Sequence, residues 1–498
     1  MEMKKLAGLE PASVFAYFEE ICGIPHTSFH EKALSDYCVD FAKKHGFYYE
    51  QDDLGNVIII KEATAGYENA APVMIQGHLD MVGDKTADCP LDLEKDGLIL
   101  KIEGDYLTAE GTTLGGDDGI AIAYALAILD SKDIPHPRLE TVFTVSEEVG
   151  LLGDSSNDLS CCKAKRLLNI DSEVEGVLTV GCAGGRRTSS TIPVVRESQT
   201  GMVYDIALTG LLGGHSGMEI HKGRANANVL MGRFLLYAKN RLSFNLVSLS
   251  GGIKENVIPN ISQASIVIDS VEKDALLQVV SDFQKSVSVE YAAADPDIKL
   301  ICSKGDIASD ETTCSDEHLS NIQTVNALDE ASLNKLLTAL NTVPNGVQAM
   351  SMDLPGLVET SLNVGVMELT ETDFTFKASI RSSVVSAKEY IYDKIALLTE
   401  SLGGNVSYVG DYPAWAYTRD SKLRDLCVDI FEKQYGKKPV IEIIHAGLEC
   451  GILSSKIEGL DCISFGPDLL DIHTVSERMG ISSVQRVWEY LKAILAAK

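Results

Sequence analysis

Four short apolar segments in the first third of this 498-residue chain constrain its fold most strongly. They are NVIIIK at 56–61, APVMIQGHLDMV at 71–82, LETVFTVSEEVG at 139–150 and AKRLLNIDSE at 164–173. Nearly continuous apolar segments are typical of strands buried on both faces, as in a parallel sheet covered by helices. An apolar helix is predicted between them, at 119–131. Buried strands that alternate with a helix predict a doubly wound, mostly parallel α/β domain.

The apolar pattern changes after about residue 187. Segments such as RTSSTIPVV alternate between apolar and polar residues, as half-exposed antiparallel strands do. A weak repeat relates 251–283 to 355–398, and each copy is predicted to form two strands and an amphipathic helix. Continuous apolar segments return from about residue 413. We therefore predict an α/β domain in two parts, 1–186 and 413–498, interrupted at 187–412 by an α+β domain with two β-β-α repeats.

Charge and composition exclude several classes of protein. The chain has 43 Lys plus Arg against 72 Asp plus Glu, which gives a formal net charge of −29. This charge repels phosphate backbones and anionic lipid surfaces, so we expect neither a nucleic-acid partner nor a membrane partner. No apolar segment approaches the roughly 20 residues that span a bilayer, and the N-terminus lacks the apolar core of a signal peptide. The eleven cysteines form no CxxC pair and suit a reducing compartment, so we expect a cytoplasmic protein.

Candidate ligand residues occur where the predicted strands end and where the apolar helix begins. His78 and Asp80 are two residues apart in a strand, so their side chains point to the same side. Asp117 and Asp118, flanked by glycines, open the helix. Taken singly, each pair has an ordinary structural interpretation: a satisfied histidine in the first case and an N-terminal helix cap in the second.

Three more segments add side chains of the same kinds. Glu147 and Glu148 close one predicted strand, Asp171 closes another, and His473 lies in a C-terminal loop. Solvated strand ends would explain each one separately, but ligands bind at the carboxyl ends of strands in open α/β sheets. Two histidines and three acids suit Zn, Mn or Co, and they can serve two ions if one carboxylate bridges. Of the adjacent glutamates, one would bind metal and the other would accept a proton.

The motifs HLDMV, TTLGGDDGIA, VSEEVGLLG and NIDSE, followed by a late histidine, resemble a known family. It comprises the co-catalytic metallopeptidases, which include aminoacylase, carboxypeptidase G and peptidase T. Within it the chain resembles the aminoacyl-histidine dipeptidases, through IPHTSFHEKALSDY, GGHSGMEIHKGRANAN, ENVIPN and HAGLECGIL. The resemblance covers nearly the whole chain in order, and it implies that the inserted domain is a lid on a catalytic domain.

The resemblance also implies a role for each candidate residue. Asp117 would bridge two metal ions, with His78 and Asp171 completing one site and Glu148 and His473 completing the other. Asp80 would hold the His78 imidazole, and Glu147 would be the general base.

The resemblance assigns further residues to the substrate. His215 would help bind it and stabilise the oxyanion, either in its own subunit or in a neighbouring one. Asn260 and Arg381 would bind the substrate carboxylate, and His445 and Glu449 would line the cleft near the substrate termini. A homodimer through the lid is expected.

The implied function is hydrolysis of dipeptides, of the Xaa-His type or more broadly, by water activated between two divalent metal ions. Zn is the expected metal, with Mn or Co as alternatives. A tripeptidase or an N-acyl-amino-acid hydrolase of the same family is the alternative activity. A non-catalytic metal- or peptide-binding protein is a further alternative, although such a protein would not need Glu147 as a spare base.

Overall fold

The computed structural model describes residues 5–305 and 322–497, which fold into two compact units. The first unit holds the described residues up to Cys182, together with Trp415–Ile443 and those from Leu448 onward. The second unit is Ala183–Ala414 with Ile444–Gly447. The insertion therefore begins before the expected residue 187, because Gly184 already starts a strand of the second unit. The short segment Ile444–Gly447 was expected in the α/β domain but belongs to the second unit.

The α-helices of the described residues are α1 Ala12–Cys22, α2 Lys32–His45, α3 Gly116–Asp130, α4 Leu152–Ser156, α5 Ala227–Lys239, α6 Lys273–Glu290, α7 Glu330–Thr342, α8 Val385–Ser401, α9 Lys422–Tyr435, α10 Glu449–Lys456 and α11 Ile481–Ala496. Short 3-10 helices occur at Ile220–Lys222 and Ser270–Glu272.

The strands are β1 Tyr48–Gln51, β2 Val57–Lys61, β3 Val73–His78, β4 Leu100–Glu103, β5 Tyr106–Ala109, β6 Leu139–Thr144, β7 Arg166–Asn169, β8 Val177–Cys182, β9 Gly184–Pro193, β10 Arg196–Thr209, β11 Gly214–His215, β12 Phe244–Gly251, β13 Val257–Ile258, β14 Ser262–Ile268, β15 Lys299–Lys304, β16 Ile322–Leu328, β17 Gly346–Met350, β18 Val358–Leu369, β19 Asp373–Ser382, β20 Asn405–Tyr412, β21 Val440–Ile444, β22 Asp461–Ser464, β23 Leu469–Leu470 and β24 Arg478–Gly480.

The main sheet of the first unit has the strand order β1-β2-β6-β3-β7-β22-β8-β21. Its four central strands, β6, β3, β7 and β22, pair in parallel. Strands β3 and β6 are buried along their whole length, as their continuous apolar sequences predict. Helix α3 is apolar on all sides and is likewise buried. The predicted doubly wound α/β class is confirmed, with antiparallel pairing of β1, β2 and β6 at one flank.

A ten-stranded sheet forms the second unit, with the main path β15-β10-β14-β12-β18-β19-β9-β20. The unit contains two β-β-α groups, β12-β14-α6 and β18-β19-α8, which join where β12 pairs with β18. The second group matches the predicted repeat at 355–398, whereas the first begins before the predicted residue 251, because its first long strand, β12, already ends at Gly251. Apolar side chains of helices α5 to α8 and of the strands share one hydrophobic core, which includes Phe234, Phe283, Leu336, Phe376 and Ile395. The predicted α+β insertion with a duplicated β-β-α plan is confirmed.

Candidate metal centre

The candidate ligands of the first unit meet at one edge of its parallel strands. His78 is the last residue of β3, Glu147 and Glu148 follow β6, and Asp171 follows β7. Because β6, β3 and β7 are parallel neighbours, their carboxyl ends lie side by side. Helix α3 adds one side chain here and the loop between β23 and β24 adds another. We call the resulting group the strand-end cluster: His78, Asp117, Glu147, Glu148, Asp171 and His473.

Asp117 lies between the two histidines of the strand-end cluster. Its Oδ1 is 3.1 Å from His78 Nε2, and its Oδ2 is 3.2 Å from His473 Nε2. On one side His78 Nε2 is also 3.7 Å from Asp171 Oδ1, and on the other His473 Nε2 is 2.8 Å from Glu148 Oε1. The carboxylate of Asp117 thus faces one histidine and one further acid on each side, which is the arrangement a bridging ligand needs.

Asp80 orders the turn that carries the two glutamates. Its Oδ1 accepts a hydrogen bond from the backbone N–H of Glu147 at 2.9 Å, and its Oδ2 accepts one from the backbone N–H of Glu148 at 3.2 Å. Ser28 donates its hydroxyl to Oδ2 at 2.8 Å. The Asp80 carboxylate is 3.5 Å from His78 Nδ1, which lies closer to the backbone carbonyl of Asp80, at 2.9 Å. Asp80 therefore touches both the imidazole and the glutamate turn.

The electrostatics of the cluster favour a bound cation. Hydrogen bonds to Asp117 and Glu148 raise the pKa of His473 to about 10. Burial alone would raise the pKa of Asp117, but hydrogen bonds with His473 and His78 hold it well below its ordinary value. Burial raises the pKa of Glu147 well above its ordinary value, and the neighbouring carboxylates add to the rise. Asp117, Glu148 and Asp171 form ion pairs with the two histidines, and within the described residues no acid of the cluster pairs with a lysine or an arginine.

The donor set fits divalent metal ions. Three groups of side chains offer ligand atoms that lie within 4.8 Å of one another: His78 with Asp118 and Asp171, His78 with Glu147 and Glu148, and Asp117 with Glu148 and His473. Imidazole and carboxylate ligands, without thiolates, suit Zn, Mn or Co. Asp118, which has no role in the sequence analysis beyond its pairing with Asp117, is buried and accepts the backbone N–H of His78 at 3.2 Å.

Two buried glutamates hold the loops of the cluster, and neither is among the residues expected from the sequence. Glu31 accepts hydrogen bonds from the backbone N–H and the hydroxyl of Ser146, each at 3.0 Å. Glu477 accepts the backbone N–H groups of three consecutive residues, Leu114, Gly115 and Gly116. No local pattern signals either role, because each glutamate is more than a hundred residues from its partners.

Glu449 does not fit the expected position on a cleft surface. Its side chain is fully buried and accepts a hydrogen bond from Gln76 in β3. Burial, with the nearby carboxylate of Asp154, raises its pKa well above the ordinary value. A fully buried carboxyl group that binds strand β3 is suited to supporting the strand that carries His78, rather than to touching a substrate.

Three of the expected substrate residues gather within the second unit. All three lie around Gly217. A Cβ added to this glycine would be 2.8 Å from the His445 carbonyl oxygen, 3.0 Å from His215 Cε1 and 3.3 Å from Arg381 Cζ. Burial lowers the pKa of His215, and the Arg381 guanidinium lowers it further. Arg381 itself is only 7% exposed. These contacts bring the Arg381 guanidinium and the His215 imidazole to the backbone of His445, and the guanidinium also lowers the pKa of the His445 imidazole. A guanidinium with imidazole N–H groups nearby is a donor set for an anion.

Asn260 lies apart from this group in the described contacts. It is exposed, in the segment between β13 and β14, and its Cβ would be 3.2 Å from a Cβ added at Gly213. Gly213 immediately precedes β11, which carries His215 and pairs with β13. Asn260 is thus close to the His215 segment.

Comparisons with known proteins agree with this architecture. The peptidase dimerisation domain of the M20 family matches residues 206–295. Cytosol non-specific dipeptidase from Escherichia coli (strain K12) is 37% identical over 495 residues, which cover 99% of each chain. The crystal structure of aminoacylhistidine dipeptidase from Vibrio alginolyticus superposes with a TM-score of 0.89 at 36% identity, covering 99% of this chain and 97% of the other. Aminopeptidase PepT from Bacillus cereus shares the fold, with a TM-score of 0.54 at 15% identity over 98% of each chain.

A parallel sheet with candidate histidine and carboxylate ligands at its edge, in a chain that also carries a peptidase dimerisation domain, is the architecture of a metallopeptidase. The chain belongs to the M20 family, in the group of cytosol non-specific dipeptidase and aminoacylhistidine dipeptidase. The resemblance based on the sequence motifs is therefore confirmed. Among the described helices, none has the length and apolar character that crossing a membrane requires.

Proposed function

We propose that this chain hydrolyses dipeptides, and that the reaction takes place at the strand-end cluster with two divalent metal ions bound. The observation that carries the proposal is the position of Asp117, whose two carboxylate oxygens face His78 on one side and His473 on the other. The two relatives that are 36–37% identical over 99% of this chain are both named as dipeptidases, which favours this substrate class over tripeptides and N-acyl amino acids.

The residues of the cluster divide naturally into two ligand sets. His78 and Asp171 would hold one ion, Glu148 and His473 would hold the other, and Asp117 would be shared. Zn is the proposed metal, with Mn or Co as alternatives, since imidazole and carboxylate donors serve all three. Divalent ions bound there would lower the pKa of a water molecule and polarise the peptide carbonyl group.

Glu147 is the proposed general base. Its backbone N–H is anchored by Asp80, while its carboxylate has no hydrogen-bond partner among the described residues. A carboxylate oxygen left free in this way can accept a proton from the attacking water and then deliver it to the leaving amine. Asp80 contributes by fixing the turn in which Glu147 and the ligand Glu148 are neighbours.

The second unit supplies the proposed contacts to the substrate. Arg381 would bind the free α-carboxylate with its guanidinium, and His445 would assist it. His215 would donate to the oxyanion, and Asn260 would contribute from the adjacent segment. Binding of the free C-terminal carboxylate would favour peptides with an unblocked C-terminus, whether or not the C-terminal residue is histidine.

We also propose a homodimer and a cytoplasmic location. The match to a peptidase dimerisation domain at 206–295 supports the dimer, formed through the second unit. The name of the Escherichia coli relative supports the location.

A substrate panel tests the function. Metal-stripped protein and samples reloaded with Zn, Mn or Co would be assayed with β-Ala-His, Xaa-His, Xaa-Gly, tripeptides and N-acyl amino acids. Metal-restored cleavage of dipeptides alone is the expected result, and comparing Xaa-His with Xaa-Gly measures the preference for histidine. Cleavage of tripeptides or N-acyl amino acids alone would overturn the substrate class, and no turnover with metal bound would overturn the activity.

A further inference from the structure

A row of side chains crosses five strands of the second unit at Arg381. In the strand register, Val347 of β17 is opposite Ser361 of β18, and Ser361 is opposite Arg381 of β19. Arg381 is opposite Gly185 of β9, and Gly185 is opposite Tyr412 of β20. Cross-strand partners lie on one face of a sheet, so this row forms a continuous strip.

On the β9 and β20 side of Arg381, Tyr412 and Gly185 position its guanidinium group. Arg381 Nη1 donates to the Tyr412 hydroxyl at 3.3 Å. A Cβ added at Gly185 would lie 2.4 Å from that hydroxyl oxygen and from the ring, so only glycine leaves room for the tyrosine. The Nε of Arg381 is buried and has no hydrogen-bond partner in the described residues, so one N–H of the guanidinium group is unpaired.

Ser361 engages His445 on the other side of the row. Its Oγ is 2.7 Å from His445 Nε2, and both side chains are buried. Burial and the Arg381 guanidinium lower the pKa of His445 to about 3, so the imidazole is neutral at neutral pH. A neutral imidazole carries one N–H, and the partner of one ring nitrogen decides which nitrogen holds it. The other nitrogen, Nδ1, is buried without a partner in the described residues.

The direction of the serine hydrogen bond follows from its neighbours in the row. Val347 offers no side-chain acceptor and Arg381 only donates, so Nε2 is the acceptor available to the hydroxyl. We infer that Ser361 donates its hydroxyl to His445 Nε2 and thereby places the imidazole proton on Nδ1, so that His445 and Arg381 together select a ligand with a free carboxylate. Ser361 is a positioning residue, and the inference rests on the proposed function for the identity of that carboxylate.

The consequence is a preference for a free acid over an amide. A carboxylate accepts from both Nδ1–H and the guanidinium, whereas the NH₂ group of a C-terminal amide would oppose one of these donors. Without Ser361 the imidazole can exchange its two tautomers, and the donor facing the ligand is no longer fixed. The variant S361A should therefore weaken binding of the free acid and leave binding of the amide nearly unchanged.

Steady-state kinetics with Leu-Gly and its C-terminal amide test this expectation in the metal-loaded, full-length enzyme. S361A should raise the KM for Leu-Gly about tenfold, equivalent to ~1.4 kcal/mol, with kcat within about threefold of wild type. The matched control is T360V. Thr360 lies one position along β18, and its hydroxyl is 2.9 Å from that of Ser382, so T360V also removes a buried hydroxyl pair. Adjacent strand residues face opposite sides, so T360V should change neither KM.

Two kinetic results would overturn the inference. One is an unchanged ratio of the two KM values in S361A, and the other is an equal effect of S361A and T360V on both substrates.

If the wild-type enzyme cleaves no dipeptide, the proposed function fails, but the tautomer of His445 can still be measured directly. Nitrogen-15 NMR of histidine-labelled protein, with H445Q to assign the signal, should show the proton on Nδ1 in wild type and a shifted tautomer balance in S361A. A proton on Nε2 in wild type would also overturn the inference.

Discussion

Glu477 makes a quantitative prediction possible because its carboxylate serves three backbone donors at once. The side chain is 3% exposed. Its Oε2 accepts from the N–H groups of Leu114 at 2.7 Å and Gly115 at 3.1 Å, and its Oε1 accepts from Gly116 at 2.8 Å. These three residues immediately precede Asp117, so the carboxylate holds the segment that carries the proposed shared ligand.

The change Glu477→Gln keeps the shape and removes part of this support. The amide oxygen can retain two of the donors, but the NH₂ group then faces the third N–H, and the negative charge is lost. Hydrogen bonds to a charged group contribute roughly 1.5–3 kcal/mol each. Losing one of these hydrogen bonds and weakening the other two should lower the free energy of local opening by about 3 kcal/mol. This corresponds to an amide hydrogen-exchange rate about a hundredfold higher.

Hydrogen exchange measured by mass spectrometry is the appropriate assay, because it reports opening of one segment in a chain with two units. The peptide covering residues 112–118 should exchange about a hundredfold faster in E477Q than in wild type. The control is Glu489→Gln, since Glu489 is an exposed glutamate paired with Lys492 at 2.8 Å. A change of less than about threefold in E477Q, or an equal change in E489Q, would refute the reasoning.

Three further predictions concern other parts of the molecule. Glu147→Gln should lower kcat by roughly 10²–10⁴-fold while the metal content stays at the wild-type level, because it removes only the proton acceptor. Arg186→Ala should lower the free energy of unfolding in urea by about 3 kcal/mol, because the buried guanidinium binds both Glu389 and Asp411. Burial lowers the pKa of His445 to about 3, below the ~6.5 of an unfolded chain, so unfolding is favoured as the pH falls through this window. His445→Gln should therefore lose about 2 kcal/mol less stability than wild type between about pH 6.5 and pH 5.

Each of these predictions can be contradicted by a simple result. Loss of metal from E147Q, or retained turnover, would exclude its role as the base. For Arg186 the control is the exposed neighbour Arg187, and equal effects of R186A and R187A would show that burial does not matter. For His445, parallel stability curves of H445Q and wild type across the pH window would show that the histidine is not the group that titrates.

The sequence patterns were sufficient to predict those features of the fold and site that depend on the direction of the strands. His78, Glu148 and Asp171 could be predicted to meet because each lies at the end of a buried strand or just after it, and parallel strands bring their carboxyl ends to one edge. The β-β-α units of the inserted region could likewise be predicted, because its apolar and polar residues alternate along the strands. His473 became a candidate only jointly with the acids at the strand ends, since a histidine in a loop carries no periodic signal, and the substrate residues came from the family resemblance.

Other features depend on contacts between distant residues, which no local pattern encodes. The alignment of Ser361 with Arg381 requires the register of β18 and β19, and a shift of one residue would send either side chain to the opposite face. The burial of Glu449 and the contact of Glu477 with three amides depend on packing between segments from both ends of the sequence. The assignment of residues 444–447 to the second unit likewise appears only in the folded chain.

The position of β22 has a consequence for how the protein is made. This strand lies between β7 and β8 in the main sheet, yet it is synthesised after the whole insertion. As the nascent chain leaves the ribosome, the inserted unit can fold while the centre of the surrounding sheet still lacks a strand. We expect ribosome-bound chains that end before residue 461 to resist protease in the insertion and to be digested elsewhere. Because of this strand order, the incomplete first unit would depend on chaperones until β22 has been synthesised.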